Sequence, residues 1–186
     1  MNSVVSSATS AALQADGATG SERSAQVDGA TGTASGLRQV RVQSADFDLS
    51  TEIAALRAGQ PKIGAVVSFV GTVRDLNDGA SVSALELEHY PGMTETALQN
   101  VVDRAAERWP LLGALVIHRV GPLAPLDQIV LVACCAAHRA EAFAACEFII
   151  DYLKTEAPFW KKEQTPEGAR WVDARVSDDA ALAKWQ

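Results

Sequence analysis

Two lysines, Lys154 and Lys161, stand on either side of Pro158 near the C-terminal end of the chain. Proline has no amide hydrogen and disfavours helical geometry in the residue before it, so a helix should end near Ala157. Lys154 then lies in the last helical turn, where the helix dipole favours a cation. Lys161 follows two aromatic residues in a predicted strand. Two ammonium groups held in this way can line a pocket for an anion, although lysines at helix ends are more often solvated.

Further cations stand where other predicted elements end. Arg74 lies in the loop after an apolar strand, where binding residues concentrate. His138 and Arg139 lie where a strand leads into a helix, whose N-terminus attracts anions through unpaired amide hydrogens. Arg170 is a further candidate in a short strand. The chain is acidic, with 16 basic and 23 acidic residues. Cations placed at the ends of core elements of such a chain therefore predict a site for a phosphate or a carboxylate.

Other catalytic patterns have weaker support. Strand alternation puts His118 and Arg119 on opposite faces, so at most one reaches a shared pocket, and a structural role is favoured for the pair. No GxSxG elbow, P-loop or GxGxxG fingerprint occurs. Cys134, Cys135 and Cys146 form no CxxC pair and sit in apolar runs, which favours core packing over nucleophilic chemistry. With three histidines and no ligand cluster, no metal site is predicted.

The charge and the apolar runs exclude several classes of protein. A net charge of −7 argues against a general nucleic-acid binder, which needs a basic face. Charges interrupt every apolar run before membrane-spanning length, and no secretory h-region precedes the first basic residue, Arg23. An odd number of thiols in apolar runs fits a reducing compartment. The sequence therefore predicts a cytoplasmic protein without a membrane partner.

Composition divides the chain near residue 36. Residues 1–36 are rich in Ala, Ser, Gly and Thr, and the pentapeptide at 16–20 recurs at 28–32. Such a segment buries too little apolar surface to offset its chain entropy, so it is predicted to be a disordered extension. The remaining residues, 37–186, are predicted to form a single domain.

Apolar periodicity predicts the elements of that domain. A short helix is predicted with Ser50 as its N-cap and Gly59 as its stop, and the apolar run at 63–70 predicts a central strand. Further strands are predicted at 40–43, 82–89, 114–120, 128–136, 159–164 and 170–175. Two long helices are predicted at 93–109 and 139–156. Their predicted core residues are Met93, Ala97, Val101, Ala105, Phe143, Cys146, Ile150 and Leu153. This order indicates an α+β fold, with both long helices on one face of a mainly antiparallel sheet.

In order and spacing these segments resemble the catalytic (large) subunit of molybdopterin synthase. The resemblance covers about residues 38 to 186, and the run Lys-x-x-Ala-Pro-Phe-Trp-Lys is its most specific part. The matching stretches are Phe69-Val-Gly-Thr-Val-Arg74, Leu87-Glu-His-Tyr-Pro-Gly-Met93, Ile117-His-Arg-Val-Gly121, Ala137-His-Arg139, Asp151-Tyr-Leu-Lys-Thr-Glu-Ala-Pro-Phe-Trp-Lys161, Thr165-Pro-Glu-Gly168 and Arg170-Trp-Val172.

The resemblance implies an α/β hammerhead fold and a homodimer within a heterotetramer. Each protomer would take the tail of a small ubiquitin-like sulfur carrier, which ends in Gly-Gly and brings sulfur as a terminal thiocarboxylate. Two sulfurs would pass to cyclic pyranopterin monophosphate and form the dithiolene of molybdopterin. The resemblance implies no cofactor of the subunit's own.

The same resemblance assigns residues to the site. Lys154 and Lys161 would be catalytic. The residues that it assigns to substrate binding are Thr72, Val73, Arg74, His138, Arg139, Lys154, Lys161, Lys162 and Glu163. Two alternatives stay open from the residues alone. A non-catalytic adaptor for a ubiquitin-like tail would need neither lysine, and a cysteine-dependent sulfurtransferase would need an exposed thiol of low pKa.

Overall fold

The computed structural model describes residues 37–77, 80–81, 83–166, 168–172 and 181–185, which belong to one compact unit of the chain. The predicted extension at 1–36, Val82 and residues 173–175 lie outside the described residues. The elements are β1 (Leu37–Gln43), α1 (Leu49–Arg57), β2 (Ala65–Thr72), β3 (Leu76–Asn77), β4 (Ala80–Ser81), β5 (Ala84–His89), α2 (Met93–Arg108), β6 (Leu111–Arg119), β7 (Gly121–Leu123), β8 (Gln128–Ala136), α3 (Arg139–Glu156), β9 (Phe159–Thr165), β10 (Gly168–Val172) and a 3-10 turn (Ala183–Trp185).

A four-stranded sheet in the order β1-β6-β8-β2 carries most of the core. Strand β1 pairs parallel with β6, and the other two pairings are antiparallel. One face packs against α2 and α3 and the other against α1, so β6 and β8 are buried on both faces. Cys134 faces the first of these cores and Cys135 the second, as strand alternation predicts. The prediction that both long helices share one face is confirmed.

Strand β2 occupies an edge of this sheet, so the prediction that its apolar run is central is wrong. Val67 and Phe69 pack against the core under α2 and α3, while Val66 and Val70 pack against the core under α1. Helices thus cover both faces of an edge strand. A continuous apolar run shows that both faces of a strand are covered, and it does not place the strand within the sheet.

A second antiparallel sheet, in the order β10-β9-β5-β7, follows the first. The sequence predicted one sheet, and strand β7 lies between the strands predicted at 114–120 and 128–136. A small core of Val73, Leu85, Leu87 and Leu123 lies on the inner side of this second sheet. The described strands therefore form two four-stranded sheets and the short β3-β4 hairpin, mostly antiparallel as predicted.

Local sequence explains how the helices begin and end. Helix α3 has the predicted bounds, and Ala157 after it is extended (φ −79°, ψ 125°) because Pro158 follows. The N-cap of α1 is Asp48 rather than the predicted Ser50, since the Asp48 carboxylate accepts a hydrogen bond from the amide of Thr51 at 2.7 Å. A carboxylate is as good a cap as a serine hydroxyl, so composition alone does not separate the two.

The predicted core positions of the long helices are mostly buried, with three exceptions, of which Ala97 is half-buried. Met93 and Phe143 are 52% and 62% exposed. Steps of four residues overshoot a helical turn by about 40°, so Met93 and Ala105 differ by about 120° around α2 and cannot both face the sheet. Phe143 shares the heptad phase of the buried Ile150, and no described contact covers it.

Candidate active site

A cavity of about 570 Å³ lies where the two sheets meet the C-terminal end of α3. Its volume is in the range of small-ligand sites, about 300 to 1,000 Å³. Apolar side chains from β2, β5, β8, β9, β10 and α3 form most of its wall. The charged or titratable side chains among the described lining residues are Arg74, His118, Lys154 and Lys161, and none of these residues is acidic. The cavity is therefore suited to an anion with an apolar portion.

Lys154 lies in the last turn of α3 and lines this cavity. The structure gives its ammonium no hydrogen-bond or ion-pair partner among the described residues. The neighbouring Thr155 donates its hydroxyl hydrogen to the carbonyls of Asp151 and Tyr152, at 3.1 and 3.2 Å, which closes the helix end. The backbone of Lys154 is thus held in place while its charge stays available to a ligand.

The turn at Pro158 brings Lys161 to the same cavity. The amide of Phe159 donates to the carbonyl of Ala157 at 2.9 Å. The hydroxyl of Thr94, buried at the start of α2, donates to the carbonyl of Pro158 at 3.3 Å. These bonds set the angle between α3 and β9. The expectation that the two lysines converge on one pocket is met by this geometry.

Lys161 is held by a buried carboxylate. Its Nζ lies 2.7 Å from Oε1 of Glu163, and Oε2 of the same carboxylate lies 3.2 Å from Nη2 of Arg170. Glu163 is 1% exposed and does not line the cavity. Residues two apart share a strand face, which puts Glu163 behind Lys161 rather than in the cavity.

Three more residues predicted to bind substrate do not line this cavity. Lys162 lies on the opposite face of β9 from Lys161, with its Nζ 5.5 Å from the ring centre of Trp171. Val73 is buried in the small core of the second sheet. Thr72 is exposed at the end of β2, opposite Gln128.

The backbone around Val73 positions Arg74. The Val73 amide donates to the carbonyl of Asp127, and the Val73 carbonyl accepts from the amide of Leu126, both at 2.9 Å. Arg74 directly follows this doubly bonded residue and lines the cavity, as predicted. Val73 thus contributes to the site through its main chain.

His138 and Arg139 are exposed at the other end of α3. Fifteen residues separate Arg139 from Lys154, which is about 22 Å at a helical rise of about 1.5 Å per residue. Within one chain, the structure therefore does not bring this pair to the cavity. The bounds of α3 were predicted correctly, so the distance of about 22 Å between Arg139 and Lys154 could already be calculated from the sequence.

His118 is a cavity residue for which the sequence favoured a structural role. It is buried, and its ring stacks on Phe159 with ring centres 3.7 Å apart and an interplanar angle of 15°. Burial lowers the pKa of His118 to about 4, so the imidazole is neutral near pH 7. Arg119 contacts Asp46 and the carbonyl of Gln128 instead. Alternation correctly allowed only one of the pair to reach a pocket.

The three cysteines are free and buried, as predicted, and none lines the cavity. Burial raises the pKa of Cys135 to about 11. A hydrogen bond with Cys146, together with burial, raises the pKa of Cys134. The same bond lowers the pKa of Cys146, whose Sγ lies 3.8 Å from the carbonyl of Val132 inside the core. These thiols are therefore shielded from a solvent-borne electrophile.

In the described part of the chain, the His, Cys, Asp and Glu side chains form no group of three or more that could hold a metal ion. No helix in the described ranges is both long enough and apolar enough to cross a membrane.

Comparison with known proteins identifies relatives along the folded part of the chain. A family model described as MoaE protein matches residues 42–156. The molybdopterin synthase catalytic subunit of Ralstonia nicotianae is 74% identical over 146 residues, which cover 78% of this chain and 83% of that protein. The subunit of the same name from Pseudomonas aeruginosa is 56% identical over 147 residues, which cover 79% and 98%.

Solved structures resemble the fold as well. The molybdopterin biosynthesis MoaE protein from Burkholderia ambifaria is 63% identical with a TM-score of 0.70, covering 80% of this chain and 98% of that chain. The molybdopterin synthase crystal structure from Staphylococcus aureus is 32% identical with a TM-score of 0.66, covering 72% and 96%. These likenesses confirm the α/β hammerhead fold that the resemblance implied. Because the family model covers more than half of the chain and close relatives match almost along their whole length, the chain belongs to the MoaE protein family.

Proposed function

We propose that this chain is the catalytic subunit of a molybdopterin synthase. It transfers sulfur from the C-terminal thiocarboxylate of a small ubiquitin-like carrier to cyclic pyranopterin monophosphate and so forms the dithiolene of molybdopterin. The observation that carries the proposal is the placement of Lys154 and Lys161 in one cavity whose described lining residues include no acid. Curated relatives of that name at 74% and 56% identity support it.

The two lysines have different surroundings and so different roles. The ammonium of Lys154, which has no partner among the described residues, lies beside the thiocarboxylate of the carrier tail. There it orients the tail and stabilises negative charge on the carboxylate that forms, or it takes part in proton transfer. Lys161, anchored by Glu163, presents a fixed positive charge to the anionic reactants. Because sulfur arrives on the carrier, the buried thiols of this chain have no part in the transfer.

The phosphate of the substrate requires further cations. Arg74 supplies one at the cavity. His138 and Arg139 supply others only if a second protomer brings them, since about 22 Å of helix separates them from Lys154 in their own chain. A two-fold symmetric homodimer can place them there, because the N-terminal end of α3 from each protomer can then lie at the cavity of the other protomer. The assembly is a central homodimer with one carrier on each protomer, which acts in the cytoplasm without a cofactor of its own.

Reconstitution tests this function directly. The purified chain is combined with thiocarboxylated carrier and cyclic pyranopterin monophosphate, and the dithiolene product is measured. A carrier that ends in an ordinary carboxylate is the control. We expect product only with the thiocarboxylate, and absence of product with both carriers would refute the function. The non-catalytic adaptor predicts the same refuting result together with normal carrier binding.

Neutralising Glu163 tests the anchoring of Lys161. The Glu163→Gln variant should transfer sulfur about tenfold more slowly, because a charge-assisted hydrogen bond to Lys161 is lost. The free energy of unfolding should fall by about 1 to 3 kcal/mol, as expected when a buried polar contact is broken. Steady-state rates and denaturant unfolding measure the two effects. Glu86→Gln, on the exposed side of β5, is the matched control. A wild-type rate in the Glu163 variant would show that Lys161 needs no anchor.

Alkylation separates this function from that of a cysteine-dependent sulfurtransferase. The native chain treated with iodoacetamide near pH 7 should retain its thiols and its full transfer rate, because burial raises the pKa of Cys135 to about 11 and shields all three side chains. Mass spectrometry counts the modified thiols, and unfolded chain is the positive control. Rapid modification of one thiol with parallel loss of transfer would favour the cysteine mechanism.

A further inference from the structure

Among the titratable side chains that line the described cavity, His118 is the one to which the proposed reaction gives no role. It lies on β6 opposite Val130 of β8, on the face that α3 covers, and its side chain lines the cavity together with Lys154 and Lys161. The stack on Phe159, with ring centres 3.7 Å apart, fixes the plane of the imidazole. Both stacked rings belong to the cavity wall.

The hydrogen-bond partner of the ring determines its tautomer. Nδ1 lies 2.9 Å from the carbonyl oxygen of Arg119. A carbonyl oxygen only accepts hydrogen bonds, so Nδ1 carries the ring hydrogen and donates it. Burial keeps the imidazole neutral near pH 7, with a pKa of about 4. Nε2 therefore carries a lone pair and acts as a hydrogen-bond acceptor.

An acceptor is unusual in this cavity. The ionised side chains among its described lining residues are Arg74, Lys154 and Lys161, which only donate. The remaining polar side chain of that lining, Thr155, donates its hydroxyl hydrogen at the end of α3 and keeps an oxygen that can accept. Side-chain acceptors in the described wall are therefore few, and Nε2 of His118 is the one on a ring nitrogen.

We propose that Nε2 of His118 accepts the peptide N–H of one of the two C-terminal glycines of the carrier tail. The inference rests on the proposed function, which brings that tail to Lys154. A peptide that enters an apolar cavity must pair its amide hydrogens or lose about the energy of a hydrogen bond for each. Glycine has no side chain, so its backbone can closely approach the edge of the His118 ring, where Nε2 lies.

The number of acceptors favours the tail over the pterin as the partner of His118. A reduced pterin carries several ring N–H groups and an amino group, and the described side chains of the cavity offer them only Nε2 of His118 and the hydroxyl oxygen of Thr155. The last residues of a peptide bring only one or two amide hydrogens beside their carboxylate. The cations then receive the carboxylate or thiocarboxylate end, and His118 receives the amide next to it.

A double-mutant cycle tests this contact. Carriers ending in Gly-Gly, in sarcosine-Gly or in Gly-sarcosine are made by ligating a synthetic tail, since sarcosine (N-methylglycine) lacks the amide hydrogen. Their affinities are measured for the full-length wild-type chain and for His118→Phe, which keeps an aromatic ring on Phe159. At one of the two positions, sarcosine should weaken binding to the wild type about tenfold, the value of one hydrogen bond in a buried site. The same sarcosine should change binding to His118→Phe less than twofold.

Two further variants keep the result interpretable. His118→Asn retains a donor for the Arg119 carbonyl but lacks Nε2, and it replaces His118→Phe in the cycle if the latter melts early. Lys62→Ala alters an exposed side chain that does not line the cavity, so it should bind all three carriers as the wild type does. Binding of cyclic pyranopterin monophosphate should be the same in the wild type and in His118→Phe.

Several results would overturn the inference. They are an equal sarcosine penalty in wild type and variant, unchanged carrier affinity in His118→Phe, or a loss of pyranopterin affinity with carrier binding intact. Dithiolene formation is followed in parallel with the wild-type chain. If the wild type forms the product but shows no coupling with His118, the contact alone is refuted. If it forms no product and binds no carrier, the proposed function is refuted together with the contact.

Discussion

The Lys154→Ala variant is expected to form dithiolene at less than about 1% of the wild-type rate, because a positioned charge or proton-transfer group contributes about a hundredfold or more to such a step. Dimerisation and carrier affinity should stay near their wild-type values. Lys154 has no described partner within the chain, so its loss leaves no buried group unpaired. Single-turnover measurement of product, with carrier binding by calorimetry, separates the chemical step from assembly.

A matched control for this variant is Lys62→Ala. Lys62 is exposed in the turn before β2 and does not line the cavity. It should transfer sulfur at the wild-type rate. Turnover of Lys154→Ala near that of the control would refute the assignment of Lys154, and the catalytic role would then fall to another cation of the cavity.

Mixing two inactive variants should restore part of the activity. Lys154→Ala and Arg139→Ala are each expected to be inactive or nearly so as homodimers. If each site takes Lys154 from one protomer and Arg139 from the other, a mixed dimer has one intact site and one doubly altered site. Random exchange of equal amounts makes half of the dimers mixed, so about a quarter of the wild-type activity should return.

The mixing experiment has a built-in control. The double variant Lys154→Ala with Arg139→Ala, mixed with wild-type chain, leaves one altered group in each site of the mixed dimer. These mixed dimers should therefore be inactive, and only the wild-type homodimers, about a quarter of all dimers, should contribute activity. About half of the wild-type activity in this second mixture, with none in the first, would place Arg139 and Lys154 of the same chain in one site, against the distance of about 22 Å along α3.

Local sequence patterns predicted the structure correctly where a single residue type determines the backbone conformation. Pro158 ends α3 and places Lys154 and Lys161 at one cavity, because proline excludes helical geometry before it. Alternation also separated Cys134 from Cys135 correctly. The same rule, applied to β9, puts Lys162 on the other face of the strand from Lys161 and Glu163.

Other features depend on contacts that a local pattern does not contain. The sequence of strand β2 is apolar like that of a central strand because α1 and α3 cover its two faces. The strand lies at the edge because it pairs with β8 alone. His118 is in the cavity because β9 returns over β6 and brings Phe159 onto its ring. This stacking contact joins two residues, His118 and Phe159, that are 41 positions apart in the sequence. Strand alternation showed that only one of His118 and Arg119 could reach a pocket, and it did not indicate which of the two.

The site takes its walls from two sheets that are separate hydrogen-bonded ladders among the described strands. A displacement of one sheet relative to the other breaks side-chain contacts and few backbone hydrogen bonds. It therefore needs less free energy than the unfolding of either sheet. Moderate heating should therefore misalign Lys161 of the second sheet with His118 of the first while the central strands persist. Thermal inactivation is expected to precede loss of secondary structure, and stabilising the core under α3 would not by itself make the enzyme more heat-resistant.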